Sequence, residues 1–124
     1  MERIARLRNI VLDCPDPKAL AEFYSSITGL AVCYEDDEWV SLGDGGPVRL
    51  AFQRAEDYRP PRWPDAEHPQ QLHLDLTVDD RGKAEPEVLA LGATRHPHQP
   101  GEPDGDFTVF LDPAGHPFCL CDAG

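Results

Sequence analysis

Residues 72–78 read LHLDLTV, a regular alternation of apolar and polar residues. Side chains along a β-strand point to opposite faces in turn, so this stretch predicts a strand with one apolar face and one polar face. The leucines and the valine are expected to pack against helices. His73, Asp75 and Thr77 then share the other face of the sheet.

A weaker copy of this pattern lies 64 residues earlier in the chain. At that offset Asn9–Leu12 lies over His73–Leu76, and Asp16 lies over Asp80. Self-similarity at a fixed period indicates a structural unit that occurs more than once. The chain is therefore predicted to contain two copies of one unit.

A predicted helix follows the first strand of each copy. In the first copy Asp16 suits the N-cap, Pro17 the first helical position and Gly29 the position just past the end. The apolar stripe of this helix recurs at three- and four-residue spacing and consists of Leu20, Phe23, Tyr24 and Ile27.

The helix of the second copy is less regular. Asp80 and Gly92 suit its two ends, but Pro86 falls between them. Proline removes an amide donor and clashes with the preceding turn, so this helix is predicted to start late or to kink.

Three short extended runs follow each predicted helix, at residues 31–34, 39–42 and 48–53 and at residues 94–96, 107–111 and 118–121. Each copy therefore reads βαβββ, and the fold class is α+β. The two modules are expected to form a curved, open mixed sheet around a central cavity, with the helices on its outer face.

The domain organisation follows from the repeat and from a run of prolines. Residues 1–124 are predicted to be one domain, made of repeats at about 1–55 and 70–124. The segment at about 56–69 carries four prolines around Trp63, which excludes a helix or a central strand. This segment is predicted to be a stiff linker.

Composition excludes several classes of protein. The 124 residues carry a net charge of −12, which would repel the phosphates of nucleic acids. No apolar run of about 18 residues and no secretory signal occur, so we expect no membrane association and a cytoplasmic location. The four cysteines are interpreted as free thiols.

The repeat also suggests a site. The last strands of the two copies place Gln53 and Cys119 44 and 46 residues after Asn9 and His73. These four positions are equivalent by the repeat. If the two sheets curl toward each other, the four side chains would converge on one cavity, where small-molecule sites tend to form.

Each candidate has a structural alternative. Asp75 shares the face of His73 but could simply be solvated, while Asn9 and Gln53 could hydrogen-bond neighbouring strands. Trp63 could cap the core, or grip a ligand at the rim of the cleft. The remaining histidines, His68, His96, His98 and His116, are interpreted as surface groups.

The sequence resembles the vicinal oxygen chelate superfamily, which includes glyoxalase I, extradiol dioxygenases, fosfomycin-resistance enzymes and bleomycin-binding proteins. It is similar to the glyoxalase-like branch of short proteins. The motifs that carry the resemblance are NIVLD at 9–13, DP at 16–17, TGL at 28–30, RLAFQ at 49–53, PRWP at 61–64, HLDL at 73–76, LGA at 91–93 and LDPAGHPFCL at 111–120.

The resemblance implies where a divalent metal ion would bind. In metal-using relatives the first and last strands of each module supply His and Glu ligands, and the matching positions here are Asn9, Gln53, His73 and Cys119. Only His73 is of the usual type, and the set contains no carboxylate. The family metal site is therefore expected to be incomplete, with His73 and Asp75 as the ligands if a metal binds.

Three functions are compatible with this pattern. The favoured one is binding of a small organic molecule without a complete metal site. The alternatives are a metal-dependent lyase, isomerase or dioxygenase, and a non-catalytic dimerisation or regulatory module, so enzymatic activity stays open. The resemblance also implies a homodimer, because a second chain can cover the free strand edges.

Overall fold

The computed structural model describes residues 3–123. Two compact units are present, the first ending at Tyr58 and the second beginning at Arg59. Each unit contains one helix and one open four-stranded mixed sheet in the order βαβββ. This confirms the α+β class and the two-module architecture.

The first unit comprises β1 (Asn9–Cys14), α1 (Pro17–Thr28), β2 (Ala31–Glu35), β3 (Trp39–Gly43) and β4 (Arg49–Arg54). The strand order in its sheet is β1-β4-β3-β2. Strand β1 runs parallel to β4, and the other pairs are antiparallel.

The second unit comprises β5 (Leu74–Val78), α2 (Arg81–Ala90), β6 (Thr94–Arg95), β7 (Phe107–Leu111) and β8 (Pro117–Asp122). The strand order is β5-β8-β7-β6, with β5 parallel to β8. Strand β5 begins two residues later than the alternation predicts, so His73 lies immediately before it.

Helix α1 has the predicted ends and the predicted buried face. The Asp16 carboxylate accepts a hydrogen bond from the backbone N–H of Ala19 at 3.2 Å, and Gly29 ends the helix with a φ of 75°. Leu20, Phe23 and Tyr24 are buried. The ring of Tyr24 stacks on Phe52 of β4 with 5.6 Å between centroids, which joins the helix to the sheet.

Helix α2 begins at Arg81, directly after the N-cap Asp80, so the predicted late start is wrong. The Asp80 carboxylate accepts a hydrogen bond from the backbone N–H of Lys83 at 3.3 Å, which supports the first turn. Pro86 lies inside the helix. Its missing N–H removes one helical hydrogen bond without stopping the helix.

Polar contacts hold α2 on its sheet, because Val88 is the only residue of this helix that is fully buried. The guanidinium of Arg81 donates hydrogen bonds to Asp122 at 2.7 Å, to Thr108 at 3.1 Å and to the backbone oxygen of Gly105 at 2.9 Å. These bonds tie the start of α2 to β7, β8 and the loop before β7.

Residues 55–73 contain neither helix nor strand. This irregular segment includes the proline-rich stretch and Trp63, and most of it belongs to the second unit. Within residues 3–123 no helix combines the length and the apolar character that crossing a membrane requires.

Candidate functional site

Strands β5, β7 and β8 of the second unit are aligned so that residues at opposite positions point to the same face of the sheet. The two faces of this sheet therefore carry different side chains. Asp75 of β5 lies opposite Cys119 of β8, and Cys119 lies opposite Val109 of β7. One residue further along β5 and β8, Leu76 lies opposite Leu120, and Thr108 of β7 lies on the other side of Leu120. These three side chains belong to the other face of the sheet. The alternation of residues 72–78 therefore separates polar from apolar side chains as predicted.

A cavity of about 390 Å³ lies on the face that carries Asp75 and Cys119. Its walls come from β5, β7, β8, the irregular segment and the loop before β7, all within the second unit. The lining residues are Trp63, Gln70, His73, Asp75, Pro100, Asp106, Phe107, Val109, Pro117, Cys119 and Cys121.

His73, Asp75 and Cys119 form a compact polar group in this cavity. The His73 Nε2 atom lies 3.1 Å from Oδ1 of Asp75. One donor atom from each of the three side chains lies within 4.8 Å of the other two. Within residues 3–123 this is the only group of three or more His, Cys, Asp or Glu side chains that could hold a metal ion.

The environment of Cys119 keeps its sulfur protonated. Burial is the main cause that raises the pKa of this thiol to about 12, and the negative charge of Asp75 adds to it. Burial, followed by the charges of Asp75 and Asp106, raises the pKa of Cys121 as well. Neither sulfur is prepared for nucleophilic attack at neutral pH.

Trp63 is held in the wall of the cavity by His96, which is buried and not a surface group as expected. The His96 ring lies 5.2 Å from the indole ring, and its Nε2–H donates to the backbone oxygen of Trp63 at 2.8 Å. Its Nδ1 accepts the backbone N–H of His98 at 2.9 Å. These bonds require the proton of the His96 ring on Nε2.

Gln70 contributes an acceptor that the sequence did not reveal. Its Oε1 atom is buried and, within residues 3–123, has no hydrogen-bond partner. Buried polar atoms are nearly always paired, so an unpaired carbonyl in a cavity wall is available to a bound donor.

The first unit does not repeat this arrangement. Asn9 lies opposite Arg49, and Gln53 lies opposite Asp13, four positions further along β1. Asn9 still corresponds to His73, because β1 matches β5 at the predicted offset of 64 residues. Gln53 lies opposite Asp13 as Cys121 lies opposite Thr77, so the predicted equivalence of Gln53 with Cys119 is wrong and Gln53 corresponds to Cys121. Among residues 3–123, nothing donates a hydrogen bond to the buried Oδ1 atom of Asn9. Ligand-binding roles for Asn9 and Gln53 stay predictions.

The positions that do match Asp75 and Cys119 in the first unit are Val11 and Ala51, which lie opposite each other on β1 and β4. Both are apolar. The polar group is thus a feature of the second copy alone.

Sequence reasoning missed Gln70, Asp106, Phe107 and Val109 as lining residues. Phe107 and Val109 carry a usable signal, because they alternate with Thr108 and Phe110 along one predicted strand. Gln70 and Asp106 lie in irregular segments, where no periodic pattern indicates the direction of a side chain.

We predict that Cys119 resists alkylation in the native protein at pH 8, while the exposed Cys33 reacts. With a pKa of about 12, only about 10⁻⁴ of the Cys119 sulfur is thiolate at that pH. Asp75→Asn should accelerate the labelling of Cys119, because it removes a charge that raises this pKa. Mass spectrometry of the labelled peptides measures both rates.

The raised pKa of Cys119 also makes the free energy of unfolding depend on pH. The native thiol keeps its proton to a higher pH than the unfolded one, so the free energy of unfolding should fall as pH rises from about 8.5 toward 12. Cys119→Ala should reduce that fall. If Cys119 in the native protein were alkylated as fast as Cys33, the Cys119 thiol would not be buried beside the charge of Asp75, and this prediction would be wrong.

His96→Leu is predicted to loosen Trp63, because it removes the bond to the Trp63 backbone oxygen. We expect a loss of about 1–2 kcal/mol in the free energy of unfolding and lower fluorescence anisotropy of Trp63 in a Trp39→Phe background. His98→Leu is the matched control, since it removes a ring contact at 5.0 Å but leaves that bond intact. Equal effects of the two substitutions would show that the hydrogen bond does not position Trp63.

Comparison with known proteins assigns the chain to a family. Residues 9–121 match the family model of the glyoxalase-like domain. No curated protein sequence matches the chain. Many solved structures share the fold.

A glyoxalase/bleomycin resistance protein/dioxygenase family enzyme from Burkholderia phytofirmans PsJN is 20% identical with a TM-score of 0.72, over 95% of this chain and 98% of that chain. A glyoxalase-related enzyme from Fulvimarina pelagi is 17% identical with a TM-score of 0.70, over 97% and 89% of the two chains. Lactoylglutathione lyase from Agrobacterium tumefaciens is 19% identical with a TM-score of 0.61, over 98% and 96%.

At these identities the structural likeness establishes the fold and not the chemistry. The family model, however, spans nearly all of the described residues, from the start of β1 into β8. The chain therefore belongs to the glyoxalase-like domain family of the vicinal oxygen chelate superfamily.

Proposed function

We propose that the cavity of the second unit binds a small organic molecule, and that it does so without a divalent metal ion. The observation that carries the proposal is the cavity itself, about 390 Å³ with apolar walls and a polar group on one side. Sites for small molecules typically measure about 300–1,000 Å³ and combine apolar walls with a few placed polar groups.

The walls supply both kinds of contact. Phe107, Val109 and Pro117 offer rigid apolar surface, and Trp63 adds a large ring that His96 holds in place. Burial of a ligand against such surfaces contributes roughly 25 cal/mol for each Å² of apolar area removed from water. The unpaired oxygen of Gln70 and the polar group around Asp75 would fix the orientation of the ligand.

The chemistry of the donor set supports binding without a metal. A zinc ion needs deprotonated ligands, and its thiolate ligands have lost their proton. Here burial and the charge of Asp75 favour the protonated thiol of Cys119, and Oδ1 of Asp75 lies 3.1 Å from Nε2 of His73. The set offers one carboxylate, one imidazole and one neutral thiol, so it carries little negative charge to balance a divalent cation.

A metal-dependent lyase, isomerase or dioxygenase is the second candidate, favoured by the spacing of the same three donor atoms within 4.8 Å. In that case His73 and Asp75 would hold the metal together with Cys119, and the metal would polarise an oxygen of the substrate. Homodimer formation and a cytoplasmic location stay predictions.

We predict that ligands found in a thermal-shift screen of cationic drugs, aromatic acids and thiol adducts also change the fluorescence of Trp63 in a Trp39→Phe background. A ligand at 100 times its dissociation constant adds ~2.7 kcal/mol to the free energy of unfolding. Cys121→Phe should abolish binding by filling the cavity. Cys33→Phe is the control, because Cys33 is exposed on β2 and does not line the cavity.

Two results would contradict the binding proposal. One is a set of ligands whose affinity Cys121→Phe leaves unchanged, since binding would then lie elsewhere. The other is the absence of any ligand across the three compound classes, which would favour a dimerisation or regulatory module.

We further predict that ligand binding survives treatment with EDTA, because Asp75, His73 and Cys119 need no cation. Elemental analysis of the purified protein should find less than one equivalent of divalent metal per chain. One equivalent that is lost in His73→Ala, and that ligand binding requires, would instead establish the metal-dependent alternative.

A further inference from the structure

We propose that the ligand of this cavity is an organic cation with a flat apolar body, an inference that rests on the proposed function. It concerns the charge and shape of the molecule that the second unit selects. Three independent features of the cavity wall support it: its charge, its hydrogen-bonding capacity and its apolar surface.

The charge of the wall is negative. Asp75 and Asp106 both line the cavity, and the lining includes neither lysine nor arginine. His73 is the one lining side chain that can become positive, and it lies against Asp75. The two carboxylates therefore attract a cation that enters the cavity and repel an anion.

Of the two carboxylates in the cavity wall, Asp106 is the one available to pair with a ligand, because Asp75 lies against His73. Among residues 3–123 it takes part in no ion pair within 4.0 Å. Arg81 is close enough for the charge of Asp106 to act on it. The guanidinium of Arg81, however, donates its N–H groups to Asp122, Thr108 and Gly105.

The cavity wall offers two acceptors to a ligand. The buried Oε1 atom of Gln70 has no partner in the described part of the chain, and the Asp106 carboxylate can only accept. A buried acceptor that stays unpaired costs about 1–3 kcal/mol of desolvation. A ligand that carries N–H donors relieves this cost, and a carboxylate or a carbonyl ligand does not.

The apolar part of the wall consists mostly of residues with rings. Trp63 and Phe107 present aromatic rings, and Pro100 and Pro117 add rigid surface. Aromatic faces attract both planar groups and cations, and tryptophan attracts cations most strongly. An arylalkyl ammonium or amidinium ion combines the charge, the donors and the flat body that this wall can satisfy.

The test compares three probes of nearly equal shape by isothermal titration calorimetry: 2-naphthylmethylammonium, 2-naphthylmethanol and 2-naphthoate. The ammonium ion should bind at least about tenfold more tightly than the alcohol at low salt, and this advantage should shrink at about 0.3 M salt, where charges are screened. Naphthoate should bind most weakly. The shift of the Trp63 indole N–H signal, assigned with Trp39→Phe, locates each probe.

Asp106→Asn separates the local charge from the charge of the whole protein. This substitution should weaken the binding of the ammonium ion about two- to fivefold, the effect expected of an exposed ion pair. The affinity of the alcohol should not change. Asp104→Asn makes the same change in net charge at an exposed residue that does not line the cavity. This control should change the affinity of the ammonium ion by less than about twofold.

The outcomes separate this inference from the proposed function. If the alcohol or naphthoate shifts the Trp63 signal and binds as tightly as the ammonium ion, the cavity is a ligand site but the cation inference is wrong. Equal effects of Asp106→Asn and Asp104→Asn would also overturn it. If none of the three probes shifts the Trp63 signal, both the inference and the proposed function are contradicted.

Discussion

The parallel pairing of β5 with β8 is the constraint on which the site depends. It places Asp75 opposite Cys119 and Leu74 opposite Phe118. A slip of one residue would exchange the two faces of a strand, because side chains alternate with a period of two. Phe118 and Leu120 are fully buried, and their exposure would cost roughly 1.5–3 kcal/mol each. The apolar core therefore fixes the position of the polar group.

Much of this architecture follows from the sequence because it depends on local patterns. The caps of α1, its buried stripe and the two faces of β5 each follow from residue types at regular spacing. The start of α2 at Arg81 despite Pro86 does not follow, because the bonds that Arg81 makes across the sheet join residues far apart in the sequence.

The candidate site was only partly accessible from the sequence. His73, Asp75, Cys119 and Trp63 were identified and line one cavity. The register between β1 and β4 was not, since an internal repeat does not determine how two parallel strands align. Irregular segments carry no periodicity, and their side chains become interpretable only when the fold positions them, as with Gln70.

The two copies of the module have diverged in chemistry while they keep one topology. Where the second unit has Asp75 beside Cys119, the first has Val11 beside Ala51. The carboxylate of Asp75 next to the buried thiol of Cys119 raises the pKa of that thiol. Such a pair is typical of a site and not of a structural core, which supports assigning the binding function to the second copy.

The most direct measurement is the pattern of nuclear Overhauser contacts between the backbone protons of β5 and β8. We expect contacts that place Asp75 beside Cys119 and Leu76 beside Leu120, together with side-chain contacts from His73 to both Asp75 and Cys119. Contacts that shift this register by one residue, or a His73 ring remote from Cys119, would contradict the central claim that one face of this sheet carries the site.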